Sequence, residues 1–247
     1  ELLKVAFGCW DYIKNYSDQK DVYRNFVLDW VGFLPGKRES RRYVGDVIID
    51  QNDVRASGPF DDIVAYGGWP MDDHHPGGIK YGGEATQFHA APSPYGIPYR
   101  ALYSRSIANL FCAGRNISAT HIAMSSTRVM ATCGMMGQAV GTAAAIAVQN
   151  GLSPRGVYQN RLTELQDNLL SDDCYLPGKI RKPSALAASA SIAATQGDPS
   201  PLINGTDRAL GDQTNAWTGG VNDWVEYRFR EPQSVRGARF VFDSRLE

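Results

Sequence analysis

The side chains in this sequence that can move a proton or hold an anion fall mainly in two stretches. The first is Asp72-Asp73-His74-His75, with His89 farther along, and the second runs from Arg100 through His121 to Gln138. His121 stands between a short apolar run, Asn109 to Gly114, and a long uncharged segment; an imidazole placed there can act as a general base or acid near neutral pH. Arg100 directly follows Pro98-Tyr99. With Arg41 and Arg42 it is a candidate clamp for an anion or a hydroxyl group, an ordinary salt bridge being the competing use. If Arg41 and Arg42 are extended, only one of them points inward. No His-x-His or His-x-x-x-His spacing occurs, and adjacent histidines seldom face one ion. His74 and His75 therefore read as substrate-loop residues, and no metal is expected. Trp10, Trp30 and Trp69 offer either stacking faces or core filling.

The frame that must position these groups is that of a packed globular chain. Its 247 residues are 43% hydrophobic and 21% charged, which excludes a disordered tail, a coiled coil or a collagen-like rod. Twenty-five basic against 26 acidic side chains leave a formal charge of −1, so there is no electrostatic footprint for a nucleic acid or an anionic membrane. Val129 to Pro154 carries no charge, yet it contains Gly134, Gly137, Gly141, Gln138, Gln149 and Asn150, and the mean hydropathy of the chain is −0.32; a buried helix is expected rather than a membrane span. Cys9, Cys112, Cys133 and Cys174 are too sparse for a disulfide scaffold or a Cys-x-x-Cys site, and are expected to be free thiols in the core.

Composition divides the chain into residues 1–98, 99–181 and 182–247. In the first part, Leu2, Leu3, Ala6, Cys9, Trp10 and Ile13 have helical spacing, and a second helix is expected over Val22 to Phe33, stopped by Leu34-Pro35-Gly36. Tyr43 to Asp50 reads as a strand, and the glycine- and proline-rich stretches after it read as loops lining a site. In the second part, Asn109 to Gly114 reads as a buried strand. Ser125-Ser126-Thr127 can cap a helix running through Ala147 to Asn150-Gly151, with Pro154 beyond. On that helix Gly134, Gly137, Gly141 and Ala144 or Ala145 share a face that a strand or a flat ligand could approach. Gln138, inside an apolar helix, is expected to need a hydrogen-bond partner. The last part has an Ala/Ser-rich strip followed by alternating runs, Asp223 to Phe229 and Ala238 to Phe242, an all-β pattern that supplies about four of the roughly seven strands of a sandwich.

The segment Asn109-Leu-Phe-Cys-Ala-Gly-Arg-Asn-Ile-Ser-Ala-Thr-His-Ile-Ala-Met-Ser-Ser-Thr-Arg-Val-Met-Ala-Thr-Cys-Gly-Met-Met-Gly-Gln-Ala-Val-Gly-Thr-Ala-Ala144 resembles the C-terminal flavin-contacting segment of a bacterial family of FAD-dependent oxidoreductases. Arg38 to Asp46, Phe60 to Ala65 and Tyr95 to Leu102 look like further blocks of that family, so the resemblance covers about residues 35–178. The final 60-odd residues, including Ile203-Asn204-Gly205 and Phe242-Asp243-Ser244, look like the start of a galactose-binding-like, discoidin-type β-sandwich. The implied fold is α/β: the C-terminal part of an FAD/NAD(P)-binding Rossmann-like fold with an inserted substrate region, plus a partial all-β sandwich. Residues 1–98 would be the substrate or cap region, 99–181 the flavin-contacting part and 182–247 the sandwich.

The resemblance implies FAD as cofactor. It places Gly114 beside the ribityl-phosphate chain, with Arg115 where related flavoproteins often have an acidic residue, followed by Asn116. It also sets Thr127, Arg128, Gly137 and Gln138 near the flavin, with the helix N-terminus toward its pyrimidine edge. His121 would take a substrate hydroxyl proton as hydride leaves for the flavin, with Arg100 and His75 as further catalytic candidates. The substrate would be a small polar molecule, a carbohydrate being suggested by the appended sandwich. No Gly-x-Gly-x-x-Gly turn occurs in the sequence, so the chain is expected to be the C-terminal portion of a larger enzyme, to have the missing N-terminal part of the same polypeptide as its partner, and to bind FAD weakly alone. A periplasmic or secreted location fits a sandwich of this type. The alternatives are a non-catalytic glycan- or surface-binding module on a retained flavoprotein fold, and a metal-dependent hydrolase built on Asp72, Asp73, His74, His75 and His89.

Overall fold

The computed structural model describes residues 1–34, 36–92, 94–208 and 215–242. Pro35 of the expected helix stop and Asp243-Ser244 of the sandwich motif lie outside the described residues. The chain divides into two compact units, Glu1–Ser40 and Arg41–Glu247. The expected boundary near residue 98 is therefore not where the chain separates: residues 41–98 share a core with the segment that follows.

In the first unit, helix α1 (Leu2–Asn15) forms where the spacing predicts it but buries no residue, so Cys9 is exposed rather than a core thiol. Val22 to Phe33 is not a helix. The Lys14 ammonium donates to the carbonyls of Tyr23, Arg24 and Phe26 at 3.2, 2.8 and 2.8 Å. Those carbonyls converge on one cation, whereas helical carbonyls point along an axis to their own i+4 amides.

The second unit opens with residues 41–50. The expected strand over Tyr43–Asp50 makes one parallel bridge, Ile49 to Ala119, and otherwise lies irregularly along 116–120 and 100. Gly45 makes this possible, because a Cβ there would lie 2.5 Å from the Arg100 carbonyl oxygen. Asp50 then caps the short helix α2 (Gln51–Arg55) through a reciprocal capping box with Asp53. Strand β1 (Ile63–Gly67) pairs antiparallel with β4 (Tyr95–Pro98), and between them β2 (Met71–His74) and β3 (Thr86–His89) form an antiparallel hairpin. All four β4 residues are buried, as is most of β1. The run Asn109–Gly114 makes a single antiparallel bridge, Tyr103 to Phe111, rather than a strand.

The expected long helix is two. Thr120, not Ser125 to Thr127, supplies the cap: its Oγ1 accepts from the Ala123 amide, and helix α3 (His121–Thr127) follows. Val129 is extended and breaks the chain before α4 (Met130–Asn150), which ends at Gly151 in the left-handed conformation, φ 63°, as the sequence predicts. By length and composition α4 would pass as a membrane-crossing helix. Here it packs through Thr132, Met136, Ala139, Ala143, Ile146 and Ala147, against β1 and α5. Helix α5 (Pro154–Ser171) is capped by Ser153 and starts with proline at N1. Its buried Gln166 donates to the carbonyls of Asp61 and Ile63, each at 3.0 Å, tying the helix to the head of β1.

Beyond residue 181 the described residues hold α6 (Ala185–Ser189) and one antiparallel pair, β5 (Ser191–Ala194) with β6 (Val225–Arg228). The architecture is thus mixed α/β with three two-stranded sheets among the described residues.

Asp46 and Arg155 fasten the 41–50 segment to α5. The guanidinium donates to both carboxylate oxygens at 2.8 and 2.6 Å, and the Tyr103 hydroxyl donates to Oδ2 at 2.7 Å. The hydrogen bond from Arg155 holds the Asp46 carboxyl below its ordinary range. A depressed folded-state value means that this stabilisation is present above the unfolded-state value, about 3.9, and is lost as pH falls through the folded one. Thermal melts from pH 6 down to pH 2.5 should therefore show wild type losing its Tm advantage over Asp46→Asn as the pH falls below about 4.

Candidate functional site

The site is built on the hairpin β2–β3 and the helix that packs on it, α3. Successive strand residues face opposite ways, so Asp72 and Asp73 serve different partners. Asp73 Oδ1 lies 2.9 Å from His121 Nε2, bringing together two residues 48 positions apart. Asp72 Oδ2 lies 3.2 Å from His74 Nε2 and 3.9 Å from an Arg128 guanidinium nitrogen, while the same Arg128 nitrogen donates to the Asp72 carbonyl at 3.3 Å. Thr86 Oγ1 is 2.9 Å from His74 Nδ1, so both ring nitrogens of His74 are engaged. Asp72 Oδ1 is buried without a hydrogen-bond partner among the described residues.

Helix α3 is held in register by a buried relay. The Tyr95 hydroxyl bonds Ser126 Oγ at 2.5 Å, and Ser126 donates to the Trp69 carbonyl at 2.5 Å. Burial pushes the Tyr95 phenol up to about 12, so it stays a neutral donor. His121 is the first residue of α3 rather than a loop residue, and its backbone is fixed because the preceding Thr120 amide donates to Ile49 O at 2.8 Å. Its side chain keeps 37% of its surface exposed, and that of Asp73 keeps 25%.

Arg100 and His75 are placed elsewhere. The Arg100 fork is committed to Asp62: Nε and Nη2 donate to the two carboxylate oxygens, each at 2.9 Å, and the Arg100 amide adds a third bond at 2.9 Å. Asp62 is fully buried, and the Arg100 guanidinium lies 5.2 Å over the Tyr158 ring. This is the salt bridge that competed with a clamp role in the sequence. His75 stacks on Tyr81 at 3.5 Å, and its Nδ1 accepts from the Gly77 amide at 3.0 Å. Among the described residues, no three His, Cys, Asp or Glu side chains converge as a metal site.

The cofactor candidates separate by burial. Gly114 has φ 85° and nothing within 4 Å of a notional Cβ; Arg115 beside it is exposed and Asn116 is half-buried. Gly137 and Gln138 lie on the outer face of α4, so Gln138 is solvated and does not need the buried partner that its neighbours suggest. Gly134, Gly137 and Gly141 likewise have nothing within 4 Å of a notional Cβ; the helix packs through its other side. Thr127 is fully buried at the end of α3, with Oγ1 unpartnered among the described residues, and does not begin the long helix. That beginning is Met130, 87% exposed, and its N-cap Val129 supplies no side-chain cap.

A model of the FAD dependent oxidoreductases matches residues 1–169, starting before the expected residue 35 and ending before the expected residue 178, and it takes in the hairpin, α3, α4 and most of α5. The chain belongs to the FAD dependent oxidoreductase family. It is therefore a flavin-using oxidoreductase with FAD as cofactor. No curated protein and no solved structure matches the chain. The residues present fit the cofactor in donor chemistry. The start of α4 has backbone amides with no side-chain cap, suited to an electron-rich acceptor. Gly114 leaves its backbone open to close approach, and Arg115 brings a cation. Thr127 does not share in this, because no surface of it is open to a ligand.

Asp73 as the partner of His121 is the feature that sequence reasoning missed. Its only signal there was its place in an acidic-histidine cluster, and spacing does not relate residues 48 apart. The Arg100 assignment is open to a stability test. Arg100→Met strands a buried carboxylate and should cost roughly 3–5 kcal/mol in denaturant unfolding; a loss below about 1 kcal/mol would return Arg100 to the candidate clamps.

Proposed function

We propose that this oxidoreductase transfers hydride between FAD and the carbinol carbon of a small polar alcohol, a carbohydrate being the favoured class, with His121 as the proton acceptor. The observation that carries this reading is the His121–Asp73 pair, 2.9 Å apart and partly exposed, within the part of the chain matched by the family. FAD supplies the hydride acceptor. The chain's own residues handle the proton: as the C–H bond is broken, the substrate O–H proton passes to the imidazole and the alcohol becomes a carbonyl. Arg100 and His75 have partners that account for them, so the proposal rests on His121.

Carbohydrate is favoured because Trp69, 53% exposed, stands two residues before β2 and gives its carbonyl to α3. An exposed indole beside the hairpin that carries Asp73 in sequence can stack on the apolar face of a sugar ring. We also read residues 182–247 as the opening strands of a glycan-binding sandwich, a reading supported by the β5–β6 ladder and by Trp224, 49% exposed at the start of β6.

The flavin-loaded enzyme should be mixed anaerobically with D-glucose, D-galactose, L-fucose, D-mannitol and glycerol while the oxidised flavin band is followed. At least one sugar or alditol should bleach it, and His121→Gln should slow that bleaching about 100-fold at unchanged flavin content. A flavin that none of the five reduces would favour the binding-module reading.

A further inference from the structure

We infer that the hollow between the end of α5 and residues 205–208 is a second ligand site, which takes one neutral sugar ring against Tyr175 with Asp173, Lys179 and Thr206 as its polar contacts. It deepens the reading of residues 182–247 as glycan-binding but uses none of the residues of the His121 site. Its lining begins at Leu170, beyond the residues 1–169 that the family model matches, so either site can fail alone.

Two left-handed residues bend the chain around the hollow. Asp173 (φ 64°) turns it out of α5 as the Cys174 amide donates back to Leu169 O at 2.9 Å, and Gly178 (φ 73°) turns it again, with the Lys179 amide on Leu176 O at 2.9 Å. Residues 205–208 close the other side. The Arg181 amide donates to Gly205 O at 3.0 Å, and Gly205 (φ 78°) has to be glycine because a Cβ there would run into the Arg181 carbonyl. The Arg181 guanidinium then donates to both carboxylate oxygens of Asp207, at 2.8 and 2.7 Å. The walls are set before a ligand arrives, so little ordering opposes binding.

What lines the hollow is chemically mixed. Its four charged side chains, Asp173, Asp207, Lys179 and Arg208, sum to zero, which disfavours a free anion or a free cation. Asp207 is occupied by Arg181. The Asp173 carboxylate, the Lys179 ammonium and the Thr206 hydroxyl make no hydrogen bond or ion pair among the described residues. A sugar hydroxyl both donates and accepts, so the hydroxyls of one ring satisfy all three groups together. Tyr175 supplies the apolar contact, its ring held edge-to-face against Tyr66 with centroids 5.3 Å apart, and Leu170 and Ile180 extend it. The hollow has a volume of about 140 Å³, a size that admits one six-membered ring.

The test reads occupancy of the hollow itself, through Cys174, which lines it. The flavin-loaded full chain is alkylated with iodoacetamide at about pH 8.5 in rising D-glucose, D-galactose, L-fucose or inorganic phosphate. Peptide mass spectrometry follows Cys174, with the exposed Cys9 as control. At least one sugar should slow alkylation of Cys174 and not of Cys9, and phosphate should slow neither. The sugar concentration that gives half-protection should rise about 10-fold in Lys179→Met and in Asp173→Asn, the latter chosen because asparagine tolerates a left-handed backbone. Burial, with the Asp172 and Asp173 carboxylates, holds the Cys174 thiol above its ordinary range; Asp173→Asn therefore changes the unprotected rate too, and half-protection rather than rate is compared. If Cys174 resists the reagent, saturation-transfer NMR of the sugars on wild type against Lys179→Met makes the same comparison. Binding of phosphate alone, binding of none of the three sugars, or a sugar affinity that the variants leave unchanged overturns the site. Bleaching of the flavin by a sugar reports on the His121 site and bears on none of these outcomes.

Discussion

Asp62 and Arg100 hold the second unit together. A carboxylate with no exposed surface accepts three hydrogen bonds from one residue, two from the guanidinium fork and one from the backbone amide. Burying that charge is tolerable only because every bond is made at 2.9 Å with good geometry. Its effect is to fix residues 99–103, and from there the ladder spreads: Arg100 O accepts from Asp46, Ala101 O from Ser118 and Leu102 O from Cys112, while Ile49 takes Ser118 O and gives its own carbonyl to Thr120. Thr120 then caps α3 and sets His121 in place.

The site inherits its geometry from this chain of contacts at one end and from the hairpin at the other. Strand alternation parts two adjacent carboxylates, giving one to a hairpin staple and an arginine and the other to the helix. Tyr95, Ser126 and Trp69 fasten the far end of α3 to β4 and to the turn before β2. A seven-residue helix is marginal by itself; here it is anchored at both ends, which is what holds the His121 backbone in place.

Helix α4 shows the other side of the design. It buries one row of small and medium side chains and leaves Met130, Gly134, Gly137, Gln138 and Val148 open to solvent. The break at Val129 matters as much as the helix itself, because it separates α3, which carries His121, from a helix start whose amides have no side-chain cap.

The sequence by itself determined what local chemistry controls. The spacing of α1, the glycine stop of α4, the serine and proline that start α5, the absence of disulfides and the flavin-family segment around His121 were all legible, since each depends on residues within a few positions of one another. What tertiary structure decided is what depends on partners far away in the chain. Val22 to Phe33 has helix-like spacing, but Lys14 gathers its carbonyls. Ser125 to Thr127 reads as a cap, but Thr120 caps first and Ser126 is taken by Trp69 and Tyr95. Arg100 could have been a clamp until Asp62 claimed it, and Asp73 could have been a loop carboxylate until the hairpin set it against His121. A hydrogen bond between residues dozens of positions apart leaves no period or spacing in the sequence; only the packed backbone selects, among several chemically adequate partners, the one within 3 Å.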